Sequence, residues 1–288
     1  SRIETCMTCA DRGAPGGRLP DFLIIGAAKS GTTTLHEYLS NHSSIFMPEP
    51  KEPEFFSKDA VFDRGVSWYQ SLFRDASEHQ VCGEASTTYT RWPHTADAAA
   101  RIAQILPAVK LIYIMRHPVN RAYSHYSHHM RHGVTCTFEE ALARDAVYVD
   151  CGLYMDQLER FLRFFERENI LCLLTDDLQS SPGHTLDEIQ QFLEIETQDL
   201  LGGGAVRANA GGSEHFIRAR TTERLRRLPS VGAVFDRLSP QTRQRLFRTF
   251  CGSWFGRRLA ARHQLQPMRP ETRDRLLGVY AEAPLLVD

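Results

Sequence analysis

Lysine is nearly missing from this chain. Of 34 basic residues in 288, only Lys29, Lys51, Lys58 and Lys110 are lysines and the rest are arginine. Codon usage accounts for such a bias, and it makes a lysine inside a loop worth noting. Net charge is almost absent as well, at −1, so the overall basic excess usual in nucleic-acid binders is lacking. Long apolar runs are missing: the longest, Phe22 to Ala28 and Leu111 to Met115, fall far short of the roughly 18–20 residues a membrane span takes. The seven cysteines are scattered, which excludes a disulfide miniprotein, and Cys6 and Cys9 have no second pair at zinc spacing, so the reading is a chain without a metal in a reducing, cytoplasmic setting. The stretch 1–20 lacks an apolar core and reads as a flexible leader, not a signal peptide. A composition 42% hydrophobic and 24% charged excludes disorder and collagen.

The near-zero charge hides an uneven distribution. From Arg207 to Arg275 there are 16 arginines and 5 acidic residues, whereas residues 1–206 carry 28 acidic against 18 basic ones. A basic third can therefore face an anion while the whole remains neutral.

Short apolar runs alternate with helical patterns from Asp21 onward, which predicts an α/β fold with a parallel sheet flanked by helices. Strands are expected at Phe22–Ile25, Val81–Glu84, Val109–Met115 and Ile170–Thr175. Helices are expected at Thr32–Ser40, Thr95–Leu106, Pro118 to about Arg131, Phe138–Arg144, Tyr154–Glu168 and Pro182–Leu193. Phe161, Leu162, Phe164 and Phe165 read as core, and Asp176 and Asp177 as capping residues. The expected organisation is one domain over 21–288: an α/β core to residue 200, then a Gly-rich loop and an Arg-rich helical part with proline breaks at 229, 240, 267 and 270.

Two segments carry chemistry. Gly26-Ala27-Ala28-Lys29-Ser30-Gly31-Thr32-Thr33-Thr34 joins the first strand to a helix. Its glycines allow a tight turn whose N–H groups and helix N-terminus can point at one anion, with lysine and hydroxyls adding charge and hydrogen bonds. The glycine spacing is that of a P-loop, but Thr32 stands where the lysine belongs and Lys29 lies within the loop, which argues against a Mg-ATP site. The second segment is Arg116-His117-Pro118-Val119-Asn120-Arg121-Ala122-Tyr123-Ser124, after the clearest strand. It brings an arginine and a serine to the crevice where open α/β sheets bind ligands.

With FLIIGAAKSGTTTL, KEPEFF, GEASTTY, LIYIMRHPVNRAYSHY and GLYMDQLERFL in this order, the chain resembles sulfotransferases that use 3′-phosphoadenosine-5′-phosphosulfate (PAPS), in the bacterial branch related to heparan-sulfate O- and N-sulfotransferases. The resemblance implies a P-loop-like fold that binds PAPS, leaves adenosine 3′,5′-bisphosphate (PAP) and needs no metal. It implies that Lys29, Ser30, Gly31, Thr32, Thr33 and Thr34 hold the 5′-phosphosulfate, with Lys29 at the transferring group. Arg116 and Ser124 are implied for the 3′-phosphate, Glu52 as general base on the acceptor, and Arg218 and Arg220 as part of a closing basic loop. Lys51, Glu54 and Tyr154 are placed towards the acceptor. Two departures concern that side: Ala85 stands where relatives commonly have lysine, and Glu54 where many have histidine. The expected partner is a small-molecule, carbohydrate or lipid acceptor with a hydroxyl or amine, not a nucleic acid. A P-loop kinase or NTPase and a catalytically silent nucleotide-binding module are the competing readings. His117, His125 and His128 are fallback bases, with His125 and His128 on one helix face.

Overall fold

A computed structural model describes residues 17–131, 134, 136–201 and 265–282. The all-apolar run at Phe22 becomes β1 (Phe22–Gly26), fully buried along its length. With β2 (Ile45–Phe46), β3 (Val81–Ala85), β4 (Lys110–Met115) and β5 (Ile170–Leu174) it forms a five-stranded sheet of order β2-β3-β1-β4-β5. Every pairing is parallel, so the strands are covered on both faces, which is why they read as continuous apolar runs.

The two faces divide by the alternation of the strands. Leu23, Ile25, Leu111 and Tyr113 meet Phe55, Phe56, Tyr69 and Phe161 on one side. Phe22, Ile24, Ile112 and Ile114 meet Leu35, Leu39, Leu186 and Ile189 on the other. The second face is covered by α1 (Thr32–Ser40) and α10 (Pro182–Phe192), and the first by α3 (Val66–Ser71), α4 (Ala98–Ile105) and α8 (Tyr154–Leu162). The short α2 (Asp59–Phe62) precedes α3. A third cluster joins α5 (Pro118–Arg131), α6 (Phe138–Arg144), α7 (Val147–Asp150) and the helix Pro270–Ala281 through Val119, Tyr126, Phe138, Tyr148 and Leu276.

Several expectations are corrected. The helix at Tyr154 ends at Leu162, not Glu168, because the chain reverses through Arg167–Asn169 to enter β5. That turn leaves Phe164 48% exposed, whereas Phe161 and Phe165 are buried. Thr95–Ala96–Asp97 stays outside α4, which begins at Ala98. Asp176 and Asp177 lie in the first turn of α9 (Thr175–Ser180), where carboxylates favour the helix dipole. Pro270 opens a helix where a break was expected; its missing N–H costs nothing at that position. Tyr280 from this helix donates to the Val149 carbonyl at 3.2 Å, fastening it to α7. Cys6, Cys9, most of the leader, the Gly-rich loop, Arg218 and Arg220 lie outside the described residues.

Gly83 permits the closest approach within the sheet, since a Cβ there would lie 2.0 Å from Phe22 Cζ. Gly83→Ala is expected to destabilise the protein by about 1–3 kcal/mol through overpacking, read as a lower urea midpoint with unchanged slope.

Candidate active site

Sheet order places β1 between β3 and β4, with the chain leaving to opposite sides, so a crevice opens at the carboxyl ends of these strands. The 27–31 loop lies in it. Gly31 takes φ 96° as the N-cap of α1, a conformation glycine adopts without steric cost, and Lys29 takes φ 71°. Among the described residues no side chain caps α1, and no acid lies in its first turn, which leaves the N–H groups of Thr32, Thr33 and Thr34 as donors at the helix start. Ser30 is fully buried, and its carbonyl lies 2.6 Å from Thr175 Oγ1, which also lies 2.9 Å from the Met115 carbonyl. The loop is thus anchored to the end of β4.

Arg116 follows β4 directly. Its Nη1 donates to the Lys29 carbonyl at 3.5 Å, and the Tyr154 hydroxyl donates to its carbonyl at 2.7 Å. Tyr154, expected at the acceptor, thus has its hydroxyl engaged by the Arg116 backbone. On α5 the Lys29 Nζ lies 3.5 Å from His128 Nδ1. Ser124 is one helical turn before His128 and shares that face, between Arg116 and the contact with Lys29. His125 points the other way: it is 2% exposed, next to the fully buried Arg121. Burial first, and then Arg121 and the charges of neighbouring His129, Arg91 and His128, push its pKa down to about 2, so it is neutral near pH 7 and too weakly basic for the fallback role of general base.

The segment after β2 forms a wall beside α1. Glu52 accepts from Lys51 Nζ at 2.8 Å and from Thr87 Oγ1 at 3.4 Å. Glu54 pairs with Lys58, and its N–H donates to Ser86 Oγ at 3.0 Å. Burial lowers the pKa of His36 on α1, with Lys51, Glu49 and Glu52 all within electrostatic reach, which places this wall beside α1. Ala85 is 2% exposed and packs on the α1 face of the sheet.

Sequence reasoning missed Glu84. It is fully buried in β3, where Tyr69 donates to Oε2 at 2.5 Å and Tyr89 lies 2.9 and 3.0 Å from its two oxygens. Burial outweighs these hydrogen bonds and, with the nearby Glu52 charge, raises its pKa to about 7. A carboxylate inside an otherwise small and apolar strand was the available signal, because such a group is buried only with partners. Among the described residues there is no cluster of His, Cys, Asp and Glu that could hold a metal ion, and no helix is long and apolar enough to cross a membrane.

A crevice lined by a lysine-bearing strand-to-helix turn and an arginine after the neighbouring strand matches what a family comparison returns: residues 19–210 fit the model described as "Sulfotransferase domain". The chain belongs to the sulfotransferase domain family. The heparan-sulfate branch resemblance is borne out: the bifunctional heparan sulfate N-deacetylase/N-sulfotransferase 3 of Homo sapiens is 32% identical over 200 residues, 62% of this chain and 22% of that protein. The Homo sapiens heparan sulfate glucosamine 3-O-sulfotransferase 6 is 32% identical over 188 residues, 62% of this chain and 53% of that protein. The chain therefore spans between about a fifth and about half the length of these curated relatives. The crystal structure of a sulfotransferase from Alicyclobacillus acidocaldarius matches with a TM-score of 0.58 and 28% identity, covering 73% of this chain and 95% of that one. The expected P-loop-like sheet is thus the sulfotransferase fold.

Because Glu84 has a folded pKa near 7 against an ordinary 4.5, the folded state binds more protons than the unfolded chain between these values. Its contribution to stability is present below about pH 4.5 and is lost as pH rises towards 7. The stability of the wild type relative to Glu84→Gln is expected to fall across that window and to level off above it, measured by urea unfolding at fixed ionic strength.

Proposed function

We propose that the protein transfers a sulfuryl group from PAPS to an acceptor hydroxyl or amine, with Glu52 as general base. The observation that carries this reading is the meeting of Lys29, Arg116 and the uncapped N-terminus of α1 at the carboxyl edge of the sheet. The site fits a nucleotide bearing phosphate and phosphosulfate: donors without a competing acid sit at one end, and an arginine with a serine two turns further on at the other. When bound, the nucleotide supplies the sulfuryl group and a good leaving phosphate. Transfer of this kind depends on positioning and charge stabilisation more than on covalent help.

In this reading the α1 N–H groups and the Lys29 ammonium hold the 5′ end, and Lys29 balances charge developing on the leaving oxygen. Arg116 and Ser124 hold the 3′-phosphate, with Tyr154 bracing Arg116 from behind. Glu52, paired with Lys51 in the resting site, takes the acceptor proton. Arg218 and Arg220 are proposed to add to the nucleotide site from the C-terminal part. Glu54 replaces a histidine common in relatives, and its pairing with Lys58 gives the acceptor wall a local charge pattern of its own. The names of the relatives point to a carbohydrate as the first acceptor class to try, with lipids and small molecules next.

Labelled PAPS incubated with the protein, a heparan-type oligosaccharide and a source-cell extract is expected to yield a product heavier by one sulfuryl group. Thermal stabilisation by Mg-ATP and not by PAP would instead favour an NTPase. Glu52→Gln is expected to keep PAP affinity and lose about 10²–10⁴ in turnover, the usual size of general-base help. Lys29→Ala is expected to lose about 3–4 kcal/mol of transition-state stabilisation, by analogy with the loss of one oxyanion donor. Wild-type turnover in Glu52→Gln reassigns the base.

A further inference from the structure

The Glu84 carboxyl lies in the interior, yet both tyrosines that donate to it also hold the segment that carries Glu52. The Tyr69 ring stacks on Phe55 at 4.4 Å and 5° and meets Phe56 edge-on at 5.2 Å, while Tyr89 meets Phe56 edge-on at 5.6 Å. Phe55 and Phe56 are themselves fully buried and follow Glu52-Pro53-Glu54 directly. A second connection is polar. The Ser86 side chain hydrogen-bonds Glu84, and Ser86 Oγ accepts the Glu54 N–H at 3.0 Å. Further along, Ser57 Oγ and Thr88 Oγ1 are 2.6 Å apart.

At the Glu54 anchor and two residues before it the backbone is strained. Glu52 and Glu54 have φ of 62° and 55°, in the left-handed region that side chains bearing a Cβ avoid, and such residues persist only where their surroundings over-determine them. Aromatic packing alone fixes rings, but it does not explain why a carboxyl is buried to receive the hydroxyls.

We propose that Glu84 is a positioning residue: through the hydroxyls of Tyr69, Tyr89 and Ser86 it sets the strained 52–56 backbone and so aims the Glu52 carboxylate into the crevice. The consequence for turnover rests on the role of Glu52 proposed above, while the conformational claim stands without it. The groups that face Glu84 are Tyr69 from α3, Tyr89 and Ser86 from the stretch after β3, and Glu52 from the segment itself. Protonation of Glu84 therefore alters the acceptor in a network that ends at Glu52, and the pH dependence of turnover carries its signature.

The test uses Glu84→Gln, which keeps shape and removes the charge. Hydrogen exchange followed by mass spectrometry is expected to show faster exchange confined to the peptide spanning 51–58, with β1 and α1 unchanged and PAP affinity within about twofold of wild type. On an acceptor to which the wild type transfers sulfuryl, turnover is expected to drop about 10- to 100-fold, the usual cost of removing a group that orients a reacting one. The limb of the pH–turnover profile near 7 is expected to move. In a Glu52→Gln background Glu84→Gln is expected to add no further loss, since it acts through the same group. Unchanged exchange over 51–58, unchanged turnover, or losses that multiply with those of Glu52→Gln each overturn the proposal. If Glu84→Gln does not fold, Tyr69→Phe and Tyr89→Phe, each deleting one hydroxyl, are read in the same way. If the wild type transfers no sulfuryl from PAPS, the functional reading fails and the exchange result alone decides the positioning claim.

Discussion

The pairing of β1 with two parallel partners at once is the constraint on which the site depends. With β3 bonded along one edge of β1 and β4 along the other, the connections must leave towards opposite sides of the sheet, and the carboxyl end of β1 is left uncovered. The chain leaving β1 turns directly into α1, which must run back along the sheet face before the next parallel strand, so the N–H groups at the start of α1 lie at that same end. The loop between them then needs a residue tolerant of positive φ before the first helical turn, which Gly31 provides. Thr175 ties the loop back to β4 through the carbonyls of Ser30 and Met115, so loop and Arg116 share one anchor. Their spacing follows from strand separation and is not set by loop conformation.

That geometry also explains how cationic groups can work inside an acidic body. Residues 1–206 carry an acidic excess, and several of its carboxylates near the sheet's carboxyl edge have partners. Glu52 and Glu54 are engaged by Lys51 and Lys58 in the segment after β2, and Glu84 is enclosed by hydroxyls. At the start of α1 the groups brought together are Lys29 and Arg116, although the region as a whole is acidic. Net charge describes solubility and long-range steering, whereas a crevice with low-dielectric walls answers to the few groups that line it.

Four of the five strands, the α1 and α5 helices and the position of the two segments after β1 and β4 were legible in the sequence because each depends on local pattern: short apolar runs, Gly31 before a threonine run, proline at the start of α5; the two-residue β2 was too short to leave such a pattern. The reversal after Leu162 was not legible, since no glycine or proline marks it and Phe161 and Phe165 keep helical spacing across it. The role of Tyr154 was only half legible. Its place beside the crevice could be read, but its hydroxyl turns back to the Arg116 backbone, a contact across 38 residues. Glu84 escaped notice for a similar reason: its tyrosine partners lie 15 residues before it and 5 after it, and only the fold shows that both rings also clamp Phe55 and Phe56. Long-range satisfaction of a buried polar group leaves a mark in sequence only as an oddity, here one acid in a buried strand.

The scarcity of lysine now bears on the site itself. Three of the four lysines, Lys29, Lys51 and Lys58, fall in the turn after β1 and in the segment after β2. An ammonium is a compact charge on a flexible stem, whereas a guanidinium is a planar fork that commits several donors to one orientation. At position 29 the difference matters because the loop turns tightly around the charge and already receives a guanidinium from Arg116 at its carbonyl. At position 51 the pair with Glu52 is part-exposed, with side chains 18% and 35% accessible, and pairs of that kind contribute only about 0–1 kcal/mol. A contact that weak can be exchanged for a proton or an incoming partner at little cost, which a bidentate arginine clamp on the same carboxylate would resist. Arginine at position 116 instead presents a fixed fork at the strand end, where its Nη1 reaches the Lys29 carbonyl. The two kinds of cation are thus divided by what their chemistry allows: the lysines present charges that can yield or move, and the arginine a fork fixed at the end of β4.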